Sequence, residues 1–165
     1  MSKHSKRKEI AILLFCVSLI TLLWIFSNSI RDGASSTEQS ARFTEWVRPA
    51  VERVLSLFDI KLTEAEFTHF IRKAAHFSEY ALLGFLVMGG TLVFEFPGKK
   101  APLLVFPFCL LCAAIDETIQ VFSPGRGPSP TDVLLDFCGA VFGVCCCCVI
   151  YIICKSIRRK LVAGK

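Results

Sequence analysis

The chain has 165 residues, 53% of them hydrophobic, with 19 Lys and Arg against 14 Asp and Glu. That length favours one domain, and the apolar residues are too clustered for a water-soluble core, which would show amphipathic stripes instead. The net charge of +5 does not point to nucleic acid, because the bases flank apolar blocks and no groove-reading motif accompanies them.

Four apolar blocks of roughly 17–23 residues each match the length that crosses a bilayer core. The first covers about residues 10–26 and follows Lys3, Lys6, Arg7 and Lys8. Ser27-Asn28-Ser29 offers no clear small-x-small cleavage site directly after it, so the block reads as a retained helix and not as a signal peptide. Next comes a polar segment, about 27–73. Within it Phe43, Trp46, Val47, Ala50, Val54, Leu55 and Phe58 recur at helical spacing. They predict an amphipathic helix, bent at Pro49, lying flat on the membrane surface or folded over the bundle. Thr63-x-x-Glu66 predicts a capping box that opens a helix running into the second span, about 74–94. Residues 95–100 form a short turn carrying Lys99 and Lys100. The third span covers about 103–122. Residues 123–130, rich in Pro, Gly and Ser, form a loop. The fourth span covers about 131–154. The expected fold is an all-α polytopic membrane bundle of four transmembrane helices plus one extracytoplasmic amphipathic helix, as a single domain over 1–165.

The nine cysteines fall mostly inside apolar segments. A run of four, Cys145 to Cys148, points in every direction round a helix and cannot form one metal site. These residues read as small polarizable hydrophobes in lipid. Cys154, near the chain's basic end, is a candidate for acylation.

With four spans, the N-terminus, the Lys99-Lys100 turn and the C-terminus lie on one side, and they hold 11 of the 19 Lys and Arg. Basic segments stay cytoplasmic, so both termini are expected inside a cell membrane. The segment 27–73 and the 123–130 loop then face outward.

On this topology the ionisable residues converge. Arg72, Lys73, His76 and Glu79 open the second span, and Asp116, Glu117 and Gln120 lie in the outer half of the third. Arg126 is in the outer loop, and Asp132 and Asp136 open the fourth span. Asp116 should lie about 20 Å along its helix from the inner end, within the apolar slab, where carboxylates face the bundle interior and find partners. Asp132, Asp136, Gly139 and Gly143 share one stripe, so the polar end and a close-packing GxxxG-type face coincide. Five carboxylates face three permanent cations and one histidine. A shared proton, a charged His76 or a bound cation would relieve the excess.

Several chemistries fit. His76, Glu79, Asp116 and Asp136 are the candidate catalytic or coordinating centre, as a general base with orienting carboxylates or as ligands of a divalent metal. Arg72, Glu117, Gln120, Arg126 and Asp132 are candidate ligand-binding residues, with Arg126 suited to grip a phosphate or carboxylate. Asp132 also fits a capping role after Ser129-Pro130, and Glu117 lies about 100° round the helix from Asp116. A purely structural polar network is the competing reading. Conduction is disfavoured, because the second and fourth spans are apolar beyond Tyr80 and Asp136.

Arg72-Lys73-Ala74-Ala75-His76-Phe77-Ser78-Glu79-Tyr80-Ala81-Leu82-Leu83-Gly84 resembles the first signature of VanZ-like membrane proteins. Asp116-Glu117-Thr118-Ile119-Gln120, Pro124-Gly125-Arg126 and the stretch from Asp132 to Gly139 resemble the rest, and Phe26-Ser27-Asn28-Ser29 also fits. The resemblance covers about 10–155. It implies a bacterial envelope protein, because the family's named member is associated with low-level teicoplanin resistance in Gram-positive bacteria. It supplies no reaction. The expected partners are the lipid bilayer, an anionic lipid or cell-wall precursor, and another membrane protein.

Overall fold

The computed structural model describes residues 3–30, 33–60, 62–94, 100–122 and 129–163. These form five helices: α1 (Lys3–Ile30), α2 (Gly33–Ser56), α3 (Glu64–Phe94), α4 (Ala101–Val121) and α5 (Pro130–Ala163). No strand occurs among the described residues. α1, α3, α4 and α5 are long and apolar enough to cross a membrane; α2 is not among them. Large apolar side chains such as Ile12, Leu13, Ile20, Leu103 and Ile152 are exposed along these four helices. Lipid contact explains that surface, which water would not tolerate. The chain is an all-α multi-pass membrane bundle.

α3 is the hub, touching each of the other four helices. Its closest neighbour is α5, and the sequence stripe explains why. A Cβ on Gly139 would run into the Phe77 carbonyl of α3, and one on Gly143 into the Ala81 carbonyl. The two backbones therefore touch, as the small-residue spacing predicts. Ile25 of α1, Tyr80 and Leu83 of α3, Cys109 and Ala113 of α4, and Ala140 and Val144 of α5 fill the core. Cys109, Cys112 and Cys147 are buried, while Cys16, Cys138, Cys145 and Cys154 are exposed on helix surfaces. All nine are free thiols.

α1 and α4 finish at the end of the bundle where α3 and α5 begin. An apolar groove of about 380 Å³ lies toward the other end, between Phe15 and Leu22 of α1, Val87 of α3 and Leu104 and Phe108 of α4. Its hydroxyls are turned away, Ser18 donating to the Leu14 carbonyl and Thr91 to that of Met88.

α2 is held to α3 chiefly through Arg48, which pairs with Glu64 and lies 4.6 Å from the centre of the Phe67 ring. The Glu64 carboxylate holds the Arg48 guanidinium above its ordinary pKa. Pro49 lies within the helix. Of the expected apolar stripe, Val47 and Leu55 are half-buried, whereas Trp46 is 80% exposed, and Val54 and Phe58 are also exposed. The bundle therefore covers the stripe only in part, at Val47 and Leu55. Phe58 sits in the turn after α2, next to Asp59 at φ 54°. The side chain of Phe43 lies outside the described residues.

Candidate functional site

Local sequence fixes where the polar ends of α3 and α5 start. At α3, the Thr63 backbone N–H donates to Glu66 Oε2 at 2.9 Å, and the Glu66 N–H returns to Thr63 Oγ1 at 3.4 Å. This is the reciprocal capping box. At α5, Pro130 takes the first helical position, and Ser129 Oγ donates to Asp132 Oδ1 at 3.2 Å. Two cross-links then set α5 against its neighbours. Lys73 Nζ of α3 meets Asp132 Oδ1 at 2.5 Å, and Glu117 Oε1 of α4 accepts the Ser129 N–H at 2.5 Å.

His76, Asp116 and Asp136 meet inside this frame. His76 Nδ1 faces Asp116 Oδ2 at 4.0 Å, and one ligand atom from each of the three residues lies within 4.8 Å of the others. Asp116 is 0% exposed and Asp136 2%. Gln120 Nε2 donates to Asp116 Oδ2 at 3.2 Å and to Ser29 Oγ of α1 at 3.4 Å, which fixes the carboxylate's orientation. One helical turn deeper, Tyr80 O–H donates to the Cys112 carbonyl at 3.2 Å. Below that pair, Leu83, Cys109, Ala113 and Ala140 are fully buried and apolar. The cluster is open toward the helix ends and floored with hydrocarbon. Asp116 lies five residues before the end of α4, which puts it about 8 Å in from that end.

The candidate residues therefore divide. His76, Asp116, Asp136 and Gln120 come together, with Arg72 beside their cleft. Glu117 and Asp132 are used to fix the start of α5. Glu79 turns to α1, where Asn28 Nδ2 donates to its Oε1 at 3.2 Å. Arg126, with the rest of the Pro124-Gly125-Arg126 motif and the 123–128 stretch of the loop, lies outside the described residues, as does the 95–99 part of the basic turn.

The contribution of α1 is what the sequence reading missed. Asn28 and Ser29 place a fourth helix at the cluster. A signal was present: an amide at the end of an apolar helix needs a partner.

The electrostatics are one-sided. The buried charged residues among those described are Asp116, Glu117 and Asp136, all acidic. Arg72 and Lys73 are only half-buried, and Lys73 is committed to Asp132. The cleft bounded by Arg72, Lys73, His76, Gln120, Asp132 and Asp136 holds about 10 Å³. That is close to the space of one water molecule. It admits a water or a single ion and excludes a lipid headgroup, which could engage only from the mouth.

A sequence model of the VanZ/LLP1 family matches residues 11–153. The match runs from the first span into the last and takes in every residue of the cluster. The chain belongs to the VanZ/LLP1 family. No curated protein and no solved structure matches it significantly.

Proposed function

We propose that this VanZ/LLP1-family membrane protein binds or modifies an anionic lipid-linked or cell-wall ligand from the outer leaflet of a bacterial membrane. Through that ligand it contributes to resistance to glycopeptides of the teicoplanin type. Both termini are cytoplasmic in this reading, by the distribution of Lys and Arg. The observation that carries it is the meeting of polar side chains from four helices at one end of an otherwise apolar bundle. Groups that are costly in hydrocarbon converge on one point, and such convergence marks ligand sites in membrane proteins. Arg72 at the cleft and Arg126 in the outer loop attract the anion, while His76, Asp116 and Asp136 form the centre it meets.

The experiment compares teicoplanin susceptibility and retention of anionic lipids in a host expressing the protein or its variants. Expression should lower susceptibility, and the purified protein should retain anionic lipids. His76→Ala, Asp116→Asn and Arg126→Ala should each abolish the effect while the protein still accumulates in the membrane. Full resistance in all three variants would overturn the reading.

A second reading treats the cluster as a structural network and the protein as a membrane scaffold. The contacts of Glu117 with Ser129 and of Asp132 with Lys73 favour it, because each ties one helix to another. It predicts that His76→Ala leaves the phenotype intact and that a membrane partner still co-purifies.

A further inference from the structure

We infer that His76, Asp116 and Asp136 form a site for one divalent cation. The inference deepens the reading just given of this cluster and rests on it, since an acidic pocket needs a positive centre before it can face an anion.

Geometry is the first support. The three donors come from three helices, α3, α4 and α5, and all lie within 4.8 Å of one another. Donor atoms held at about 2.1 Å from one ion stand roughly 3–4 Å apart. Side-chain shifts of around an ångström therefore close the set, well within rotamer adjustment.

Charge is the second. Every buried charged residue among those described is a carboxylate. Around the site stand Arg72, Lys73 and Glu79 on α3, Glu117 and Gln120 on α4, Asp132 on α5, and Asn28 and Ser29 on α1. Lys73 is paired with Asp132, Glu79 with Asn28, and Glu117 with the Ser129 N–H. Two carboxylates and a neutral imidazole balance a doubly charged ion.

The third support is a polar atom without a hydrogen bond. Asp136 Oδ1 is buried and makes none among the described residues. Such an atom is costly in an apolar interior, and a metal would satisfy it. The cleft beside it, about 10 Å³, suits an ion and excludes larger ligands. Gln120 behaves as a residue behind a ligand should, donating to Asp116 Oδ2 and steering the carboxylate.

One imidazole with two carboxylates suits a borderline or hard divalent ion, of the Mn²⁺, Fe²⁺ or Zn²⁺ type. Three protein donors leave coordination positions open toward the cleft, where a phosphate or carboxylate oxygen of an outer ligand could bind.

Mn²⁺ is the test probe, because the free cysteines of this chain would also take up Zn²⁺. The full chain, purified in detergent without a histidine tag, is titrated with Mn²⁺ and followed by electron paramagnetic resonance and thermal unfolding. One Mn²⁺ per chain is expected, with a higher melting temperature and a nitrogen hyperfine coupling that disappears in His76→Gln. Asp136→Asn and Asp116→Asn should each weaken binding by roughly tenfold or more, while Asp132→Asn should not. No saturable binding to the folded wild-type chain overturns the site, as does binding that survives Asp136→Asn with Asp116→Asn. Retention of anionic lipid without Mn²⁺ binding rejects the metal and spares the ligand reading. Mn²⁺ binding without any lipid retention or envelope effect does the reverse.

Discussion

Replacing Gly143 by Ala tests the contact on which the cluster depends. In a helix interior, Gly→Ala normally stabilises by about 0.8–1.0 kcal/mol, because glycine is a poor helix former. Position 143 reverses the sign. The added Cβ would stand 2.7 Å from the Ala81 carbonyl carbon and 3.0 Å from its Cα, with the carbonyl oxygen closer still. An ordinary carbon–carbon contact is about 3.5–4.0 Å, so α5 must retreat by around an ångström from α3. The obstacle is backbone and cannot swing aside. Overpacking of this kind costs about 1–3 kcal/mol, which outweighs the propensity gain in most of that range and leaves a net loss of about 1 kcal/mol. Gly89→Ala is the internal control. There the new Cβ meets only side-chain atoms, Leu14 Cδ1 at 3.6 Å and Cys147 Sγ at 3.7 Å. The ordinary gain of about 0.8–1.0 kcal/mol should appear. Thermal unfolding of both variants in the same detergent gives the comparison, with a lower midpoint for Gly143→Ala and a higher one for Gly89→Ala. Stabilisation by both would refute the backbone contact between α3 and α5. Because Asp136 lies two turns earlier on α5 than Gly143, the same retreat should move its carboxylate away from His76 and weaken Mn²⁺ binding.

Two further outcomes concern the floor and the fourth wall of the cluster. Tyr80→Phe keeps the ring and removes one buried hydrogen bond to the Cys112 carbonyl. It should cost about 1 kcal/mol, against about 3–5 kcal/mol for Tyr80→Ala; equal midpoint losses in the two variants would refute the packing of this side chain. Asn28→Ala removes the amide that donates to Glu79 and should lower the midpoint by the equivalent of about 1 kcal/mol. The loss should shrink in a Glu79→Gln background, where the carboxylate that needed the amide is gone; an undiminished loss would show that Asn28 acts elsewhere.

The sequence was most legible where a feature depends on neighbours along the chain. Span lengths follow from runs of apolar residues, and the start of α3 follows from Thr63 and Glu66. The start of α5 follows from Pro130 and Asp132. The Gly139–Gly143 stripe likewise announced a close face, because helical periodicity places both glycines on one side. The grouping of charges at one end of the bundle required only the number of spans. α2 was less legible. Its apolar stripe marks a helix, yet Trp46 and Val54 stand exposed on it, and periodicity alone does not say which face of a helix a neighbour will cover.

By itself the sequence determined that three of the four spans would bring His76, Glu79, Asp116, Glu117, Asp132 and Asp136 to the same end. It could not determine which of them would face one another. That depends on the rotation of each helix about its own axis, and rotation is set by contacts between residues far apart in the chain. Backbone contact at Gly139 and Gly143 turns Asp136 toward His76, and the Ser129 N–H draws Glu117 aside to the start of α5. Asn28 claims Glu79 for α1. Tertiary packing thus reduced six candidate side chains to a centre of three, His76, Asp116 and Asp136, and gave the other three the work of holding the helices around it.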